Sequence, residues 1–269
     1  MSALTPRLPS YARETIVRFL RAHLDGPPVR RAVVGVSGGI DSALVLRLVS
    51  EAVGPSRVVA VLLPTESYSE VLREETVGYA RPLADDVRIV PVDGIVAALR
   101  AAVPEVTDRT GVGNLAARAR MVVLYALAGS VGGLVVGTGN KSELLLGYFT
   151  KHGDGGADLL PIGDLYKTEI RTLAADLGLP EPVLARAPTA GLYEGQTDEA
   201  DLGLPYEAID QVLRGLEELR EPEEIAKLSG LSRTEVDGVV ERVRVNRHKR
   251  RPAPIPKLGL RTVGLDWRD

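Results

Sequence analysis

The chain has 269 residues and a formal net charge of −3, with 45% hydrophobic and 26% charged residues. This length suits one large α/β domain or a core domain with a small appendage, and the charge balance predicts no general affinity for nucleic acid. The absence of cysteine excludes disulfides, thiolate metal sites and a cysteine nucleophile. No apolar run reaches the roughly 18 residues of a membrane span, and residues 1–10 lack the apolar centre of a signal peptide, so we expect a cytoplasmic protein.

The hydrophobic pattern predicts alternating helices and strands in the first half of the chain. In chain order we expect a helix over 11–24, a strand over 33–36, a helix after Ser42, a strand over 58–63, a helix over 69–83, a strand over 87–92, helices over 95–103 and 114–129, and a strand over 133–138. Such βαβ units form a parallel, doubly wound sheet flanked by helices, with ligands at the carboxyl ends of the strands. We therefore expect Asp41 to lie near residues 138–143.

The second half of the chain is more polar and more helical. We expect irregular polar loops over 150–158 and 191–203, a helix over 166–177, three helices over 206–216, 222–228 and 232–244, and a basic tail over 247–251. The helix over 166–177 is followed by Gly178 and Pro180, as is typical of a helix end. The sequence thus predicts one domain over 1–269, with an α/β core over about 28–185 and a helical C-terminal part over about 205–250.

A glycine-rich turn separates the first strand from the next helix. It reads Gly35-Val36-Ser37-Gly38-Gly39-Ile40-Asp41-Ser42. The N-terminus of a helix offers free N–H groups to an anion, glycines allow close approach of phosphate, and hydroxyls can donate to it. Asp41 would repel phosphate unless a hard cation lies between them, which predicts Mg²⁺. A simple turn with Asp41 and Ser42 as helix caps is the alternative. The motif is neither a Walker loop nor a dinucleotide fingerprint; it resembles the Ser-Gly-Gly-x-Asp-Ser loop of the ATP pyrophosphatases, which adenylate a substrate.

A second segment narrows this resemblance to one family within the ATP pyrophosphatases. Residues 137–151 read Gly-Thr-Gly-Asn-Lys-Ser-Glu-Leu-Leu-Leu-Gly-Tyr-Phe-Thr-Lys. With 114–121, 153–158, 161–168, 187–192, 194–199 and 248–250, they resemble the synthetase domain of NAD⁺ synthetase over nearly the whole chain. The resemblance implies that ATP adenylates the nicotinate carboxylate of deamido-NAD⁺ with release of pyrophosphate. Ammonia then attacks the acyl-adenylate to give NAD⁺ and AMP.

The same resemblance implies roles for individual residues. Asp41 and Glu143 are the expected Mg²⁺ ligands, and Lys167 is the expected cation at the leaving pyrophosphate. As a separate hypothesis, Asp154 holds ammonium and accepts its proton, because free ammonia is mostly protonated at neutral pH. The expected ATP-binding residues are Gly35, Val36, Ser37, Gly38, Gly39, Ile40, Asp41, Ser42, Thr138, Lys167 and Thr189. The expected deamido-NAD⁺-binding residues are Arg118, Tyr148, Lys151, Asp158, His248 and Lys249.

Simpler interpretations stay open for several of these residues. Glu143 could be a solvated residue of a first helical turn, Lys167 a surface charge, and Tyr148 a packing aromatic. Arg250 and Arg251 are better explained as a solvated charge run.

Departures from the family pattern and rival functions also stay open. Leu115 and Ala116 replace the usual Ile and Gln, and residues 70–76 lack an expected Asp-x-x-Asp. Because the chain has no amidase domain, we expect ammonia as the nitrogen donor, with a separate glutaminase as an alternative source. The resemblance implies a homodimer, for which the helix over 114–129 is a candidate interface. Two other functions stay open. One is another adenylating ligase of the same fold, such as GMP synthetase or a tRNA-modifying relative, and the other is a nucleotide-binding regulator without turnover. The lack of cysteine disfavours sulfur transfer, and the acidic balance disfavours a tRNA partner.

Overall fold

A parallel sheet of hydrophobic strands forms the centre of the fold. The computed structural model describes residues 2–26, 29, 31–189, 191 and 195–263. Within these residues the strands are β1 (Arg31–Gly35), β2 (Val58–Leu62), β3 (Asp86–Ile89) and β4 (Gly133–Val136), all parallel and in the order β3-β2-β1-β4. The winding direction reverses between β1 and β4, so the predicted doubly wound α/β sheet is confirmed. Its ligand-binding crevice is expected at the carboxyl ends of these two strands.

Helices cover both faces of the sheet and continue beyond it. They are α1 (Ala12–Leu24), α2 (Ile40–Val53), α3 (Glu70–Ala80), α4 (Asp93–Ala102), α5 (Arg109–Val131), α6 (Lys141–Leu146), α7 (Lys167–Asp176), α8 (Glu181–Leu184), α9 (Asp198–Leu202), α10 (Tyr206–Glu217), α11 (Pro222–Ser229) and α12 (Arg233–Val245). Short 3₁₀ turns occupy Pro55–Arg57 and Asn246–Lys249. In the described part of the chain, none of the helices is long and apolar enough to cross a membrane.

Alternate residues of each strand point to opposite faces, and the core divides accordingly. Val34 and Ala60 pack on one face with residues of α1, α2 and α7. Val33 and Val59 pack on the other with residues of α4 and α5. Both faces are apolar, which explains why the strands appear in the sequence as continuous hydrophobic runs.

The helical C-terminal part has a hydrophobic cluster of its own. Its fully or almost fully buried members are Leu4, Leu146, Tyr166, Ile209, Val212, Leu213, Ile225, Val236 and Val239. Leu146 belongs to α6, and Tyr166 immediately precedes α7. α7 packs against both α2 and α10, and α6 packs against α10 and α12, so both helices connect the α/β core to the C-terminal helices.

Several sequence predictions differ from the structure. The helix predicted over 114–129 spans Arg109–Val131, and α8 was not predicted. β3 ends at Ile89 rather than Val92, although Val90 N and Val92 N still donate to Leu62 O at 2.8 Å and to Pro64 O at 3.1 Å. The sequence predicts no bounds for α6, since six residues are too few to show helical periodicity. The segment 191–203, predicted as a loop, contains helix α9, which Thr197 caps through a bond from Ala200 N. Residues 192–194 of that segment lie outside the described residues.

Candidate active site

The glycine-rich turn lies between the carboxyl end of β1 and the start of α2. Gly38 has a φ of +79°, and a Cβ there would lie 2.6 Å from Thr76 Oγ1, so a side chain does not fit without rearrangement. Gly39 is the N-cap of α2 and provides no capping side chain. The first turn of α2 consequently keeps N–H groups for an anion, with the positive end of the helix dipole behind them.

Hydroxyl groups hold the turn in shape. Ser42 is buried; its Oγ accepts from Ser37 N at 3.1 Å and donates to Gly39 O at 3.0 Å. We expected both hydroxyls to face phosphate. In this structure Ser42 stabilises the turn, and Ser37 is the exposed hydroxyl of the pair.

Lys167 joins the two predicted metal ligands. Its Nζ donates to Asp41 Oδ2 and lies 3.4 Å from Glu143 Oε1, and only 3% of its side chain is exposed. Asp41 belongs to the first turn of α2, Glu143 to that of α6, and Lys167 starts α7. The prediction that Asp41 would lie near residues 138–143 is confirmed, and a surface position for Lys167 is excluded.

Burial and charge act in opposite directions on these groups. Burial raises the pKa of Glu143 to about 8; Lys167 opposes this shift and Asp41 adds to it. Burial also works against the charge of Lys167, but Asp41 and Glu143 outweigh it and raise the pKa of Lys167 above its usual value. The cluster thus holds a permanent ammonium beside carboxyl groups whose combined negative charge is costly to bury.

Asn140 connects this cluster to the start of α6. It is fully buried, and its Nδ2 donates to Asp41 Oδ1 at 3.2 Å. Its Oδ1 accepts from Glu143 N at 2.9 Å, while Glu143 Oε2 accepts from Asn140 N at 3.3 Å. This reciprocal capping box fixes the Glu143 carboxylate, so the same group both caps a helix and faces Lys167.

A second group of predicted residues meets in the loop after Phe149. Asp154 Oδ1 accepts from Thr150 N at 2.9 Å, and burial raises the pKa of Asp154 although Lys249 opposes the shift. Lys249 Nζ donates to the carbonyls of Gly147 at 2.6 Å and Phe149 at 3.0 Å. The C-terminal basic segment therefore docks onto this loop.

Lys151 and His248 lie together in the same region. Lys151 Nζ donates to His248 O at 3.0 Å. Arg250 is also held in place: it donates to Leu145 O at 3.0 Å and to Val243 O at 2.9 Å. The prediction of a solvated charge was wrong for Arg250, because these carbonyls lie at the ends of α6 and α12 and accept its guanidinium. Arg251 is exposed.

The remaining predicted residues are more scattered. Tyr148 donates its hydroxyl to Asp201 Oδ2 at 2.8 Å. Asp158 accepts from Val135 N at 2.7 Å and Tyr125 Oη at 3.2 Å, so protein donors already engage both its oxygens.

Three more of the predicted residues have no hydrogen bond to the Lys167 cluster in the part of the chain that the structure describes. Thr138 is half-buried just beyond β4, and Arg118 is exposed on α5. Thr189 is exposed and accepts from Gly191 N at 3.1 Å. No hydrogen bond within the described ranges joins any of the three to the cluster.

Sequence reasoning missed residues that shape the site indirectly. Arg186 donates to Gly38 O and, at 2.7 Å, to Glu75 Oε2, and thereby fastens α3 to the glycine-rich turn. Arg120 donates to Leu63 O at 3.0 Å near the end of β2. The spacing Asn140-x-x-Glu143 is a capping-box pattern and could have identified the role of Asn140. No sequence signal marks the partners of either arginine.

Known proteins are similar to this chain in sequence and in fold. The sequence model of the NAD synthase family matches residues 12–253. The NH(3)-dependent NAD(+) synthetase of Methanosarcina acetivorans is 46% identical over 253 residues, which are 92% of this chain and 98% of that protein. Among solved structures, NMN synthetase from Francisella tularensis has a TM-score of 0.81 at 30% identity, covering 94% of this chain and 100% of that one. NH3-dependent NAD synthetase from Campylobacter jejuni, solved with a nitrate ion, has a TM-score of 0.77 at 31% identity, covering 91% and 97%.

Proposed function

Because this chain belongs to the NAD synthase family, we propose that it converts deamido-NAD⁺ to NAD⁺ with ATP and ammonia. One observation carries the proposal: a buried ammonium, that of Lys167, lies between two carboxyl groups at the N-terminus of α2. A site for adenylation needs an anion-binding helix end and fixed positive charge where pyrophosphate develops. The glycine-rich turn and Lys167 meet both requirements.

The first step activates the carboxylate. An oxygen of the nicotinate carboxylate attacks the α-phosphorus of ATP, the bond from that phosphorus to the bridging oxygen breaks, and pyrophosphate leaves. We assign the phosphates to the N–H groups of the Gly38-Gly39 turn and the leaving pyrophosphate to Lys167. Because Lys167 is buried and held by two carboxyl groups, it needs no reorganisation as negative charge develops.

The donor set also fits a magnesium ion. Asp41 and Glu143 reach one cation, the Lys167 ammonium, from two different helices, and carboxylate oxygens are the ligands that Mg²⁺ prefers. Within the described residues no group of three or more acidic or histidine side chains is arranged to hold a metal. We propose that these two residues hold Mg²⁺ and that water and phosphate oxygens complete its shell. When bound, the ion would neutralise charge on the triphosphate.

The second step forms the amide. The ammonia nitrogen attacks the acyl carbon, the bond from that carbon to the AMP oxygen breaks, and nitrogen loses a proton. Asp154 is suited to accept this proton, because burial raises its pKa above its usual value and so makes its carboxylate a stronger base. Its neighbour Lys249 is bound to two carbonyls of the same loop, which keeps a positive charge near the dinucleotide site.

We further propose a homodimer with α4 and α5 at its interface. The buried residues of α5 are all glycine or alanine, whereas its larger apolar residues Val122 and Tyr125 are 57% and 37% exposed. Ile95 of α4 is 37% exposed. Exposed apolar side chains of this kind are characteristic of a contact surface. Arg118 is exposed on the same helix and would then serve the partner's dinucleotide site.

We propose the cytoplasm as the location, because ATP and the dinucleotide are metabolites of the cell interior.

A coupled assay tests this function. Purified protein receives ATP, Mg²⁺ and deamido-NAD⁺, with ammonium in one reaction and glutamine in another, and NAD⁺ and pyrophosphate are both followed. We expect equal amounts of the two products with ammonium alone, and none from the Asp41→Asn variant. A third reaction replaces the dinucleotide by nicotinate mononucleotide, since one structural relative is an NMN synthetase. Faster turnover of the mononucleotide would reassign the substrate, and failure of a folded protein with every substrate would favour the regulator.

A further inference from the structure

Asp210 on α10 is a fully buried carboxylate that the proposed chemistry does not use. It accepts three hydrogen bonds: from Ser142 Oγ at 2.5 Å, from Thr168 N at 2.9 Å and from Thr168 Oγ1 at 2.9 Å. These donors lie 68 and 42 residues away in the sequence, in the first turns of α6 and α7. One side chain of the C-terminal part thus binds the N-termini of both helices that form the site.

The hydroxyl of Ser142 extends this connection to Lys167. Ser142 is fully buried, and while its Oγ donates to Asp210 it accepts from Lys167 N at 2.9 Å. A hydroxyl has one hydrogen, so its orientation is fixed once it donates to the carboxylate. The backbone of Lys167 is therefore held by a chain that begins at Asp210.

The start of α6 also positions the two carboxyl groups that pair with the Lys167 ammonium. Asn140, which caps α6, binds Asp41, and Glu143 in the first turn of α6 faces Lys167. A shift of α6 relative to α7 would change the distance from Lys167 Nζ to Glu143 Oε1. Asp210 restrains this shift, because it binds one residue from each helix.

We propose that Asp210 is a positioning residue for adenylation: through Ser142 and Thr168 it sets where the Lys167 ammonium lies relative to the phosphates. This inference rests on the proposed function. Asp210 makes no hydrogen bond to the Lys167 side chain, and Ser142 connects it to the Lys167 backbone. It therefore acts on the rate of the adenylation step, while deamido-NAD⁺ and ammonium bind elsewhere.

The test is the Asp210→Asn variant, which keeps the size and shape of the side chain. A carboxylate accepts at both oxygens, whereas an amide places two hydrogens against either Ser142 Oγ or Thr168 N. We expect kcat to fall about 10- to 100-fold, as for other residues that orient a reacting group. The rate constant of pyrophosphate formation in a single-turnover experiment should fall by the same factor. The KM values for deamido-NAD⁺ and ammonium should stay within about threefold.

Glu169→Gln is the matched control. Glu169 is also a buried carboxylate at the start of α7, where it accepts from Tyr166 N at 2.9 Å, but it does not bind Ser142. We expect this variant to lower the melting temperature while kcat stays within about twofold. Equal losses of kcat in both variants, or no loss in Asp210→Asn, would overturn the proposal.

Ser142→Ala decides the matter if Asp210→Asn does not fold. It removes one hydroxyl, and we expect the same slowing of pyrophosphate release; unchanged release would overturn the proposal. If the wild-type protein makes no NAD⁺, the proposed function fails by itself. The positioning role is then judged by binding of α,β-methylene-ATP with Mg²⁺. We expect about tenfold weaker binding in Asp210→Asn than in wild type, and equal binding would refute the role.

Discussion

Replacing Lys167 by methionine removes the charge that holds the site together. Above pH 8, where Glu143 is ionised, its 3.4 Å separation from Lys167 corresponds to an attraction of about 5 kcal/mol at an effective dielectric constant of about 20. Removing one partner of a buried ion pair costs about 3–5 kcal/mol, since the other is left unpaired. We expect a loss of this size in the free energy of unfolding, measured by urea denaturation in EDTA at pH 7.

The pH dependence makes this prediction sharper. The pKa of Glu143 rises from 4.5 in the unfolded chain to about 8 in the folded one, so its contribution to stability is complete below pH 4.5 and is lost as the pH rises through 8. Without Lys167, which opposes the shift, the folded pKa is higher still. Between about pH 4.5 and 8 both proteins lose stability at the same rate, and their difference is constant. Above pH 8 the wild type stops losing stability while the variant continues, so the difference grows by about 1.4 kcal/mol per pH unit.

Activity and a control complete the test. We expect the rate of NAD⁺ formation by Lys167→Met to fall about 10²- to 10³-fold, as when other preorganised charge stabilisers are removed. Lys141→Met is the control. Lys141 also lies between two carboxylates, Asp164 at 3.1 Å and Glu217 at 2.7 Å, but outside the site. It should lose about 1 kcal/mol of stability and no activity. A Lys167→Met protein with near-normal turnover, or with a stability difference that does not grow above pH 8, would refute the reasoning.

Three further substitutions test separate parts of the site. Gly38→Ala should destabilise the protein by about 1–3 kcal/mol and raise the KM for ATP, because residue 38 has a positive φ and the new Cβ would meet Thr76. A normal melting temperature and a normal KM for ATP would contradict this. Asp154→Asn should weaken the response to ammonium without changing pyrophosphate formation in its absence; an unchanged ammonium titration would remove Asp154 from the second step. Asn140→Ala should lower the free energy of unfolding by about 1–2 kcal/mol, since it removes the cap of α6 and a hydrogen bond to Asp41. Urea denaturation measures this loss, and an unchanged free energy of unfolding would show that the cap is dispensable.

The centre of the sheet was predictable because β1 and β2 are buried on both faces. Val58 to Leu62 is an apolar run stopped by Pro64, and the structure places β2 there. The boundaries of α10 and α12, which are long enough to show a period of 3.6 residues, were predicted close to those observed, whereas α5 begins five residues before its predicted start. Short elements were missed, because α6 and α9 span fewer than two turns and depend on their caps rather than on periodicity.

The site could be predicted in part, for a different reason in each case. Glycine spacing and the acidic residue of the turn carry their own physical signal, so Asp41 could be singled out from the residues alone. Glu143 and Lys167 are ordinary residues of first helical turns, and only the resemblance to a family marked them. The carboxylate of Asp210 gave no signal at all, because its partners are far away in the sequence and its burial is a property of the folded core.

The hydrophobic cluster of the C-terminal helices has a consequence for how the protein would lose activity. That cluster is separate from the cores on the two faces of the sheet. Local unfolding of α10 to α12 would expose Leu213 and Ile225 and release Asp210, while β1 to β4 could stay paired. Hydrogen exchange would then show protected strand amides in a protein that has already stopped working. The stability that matters for function would then be that of the C-terminal helices.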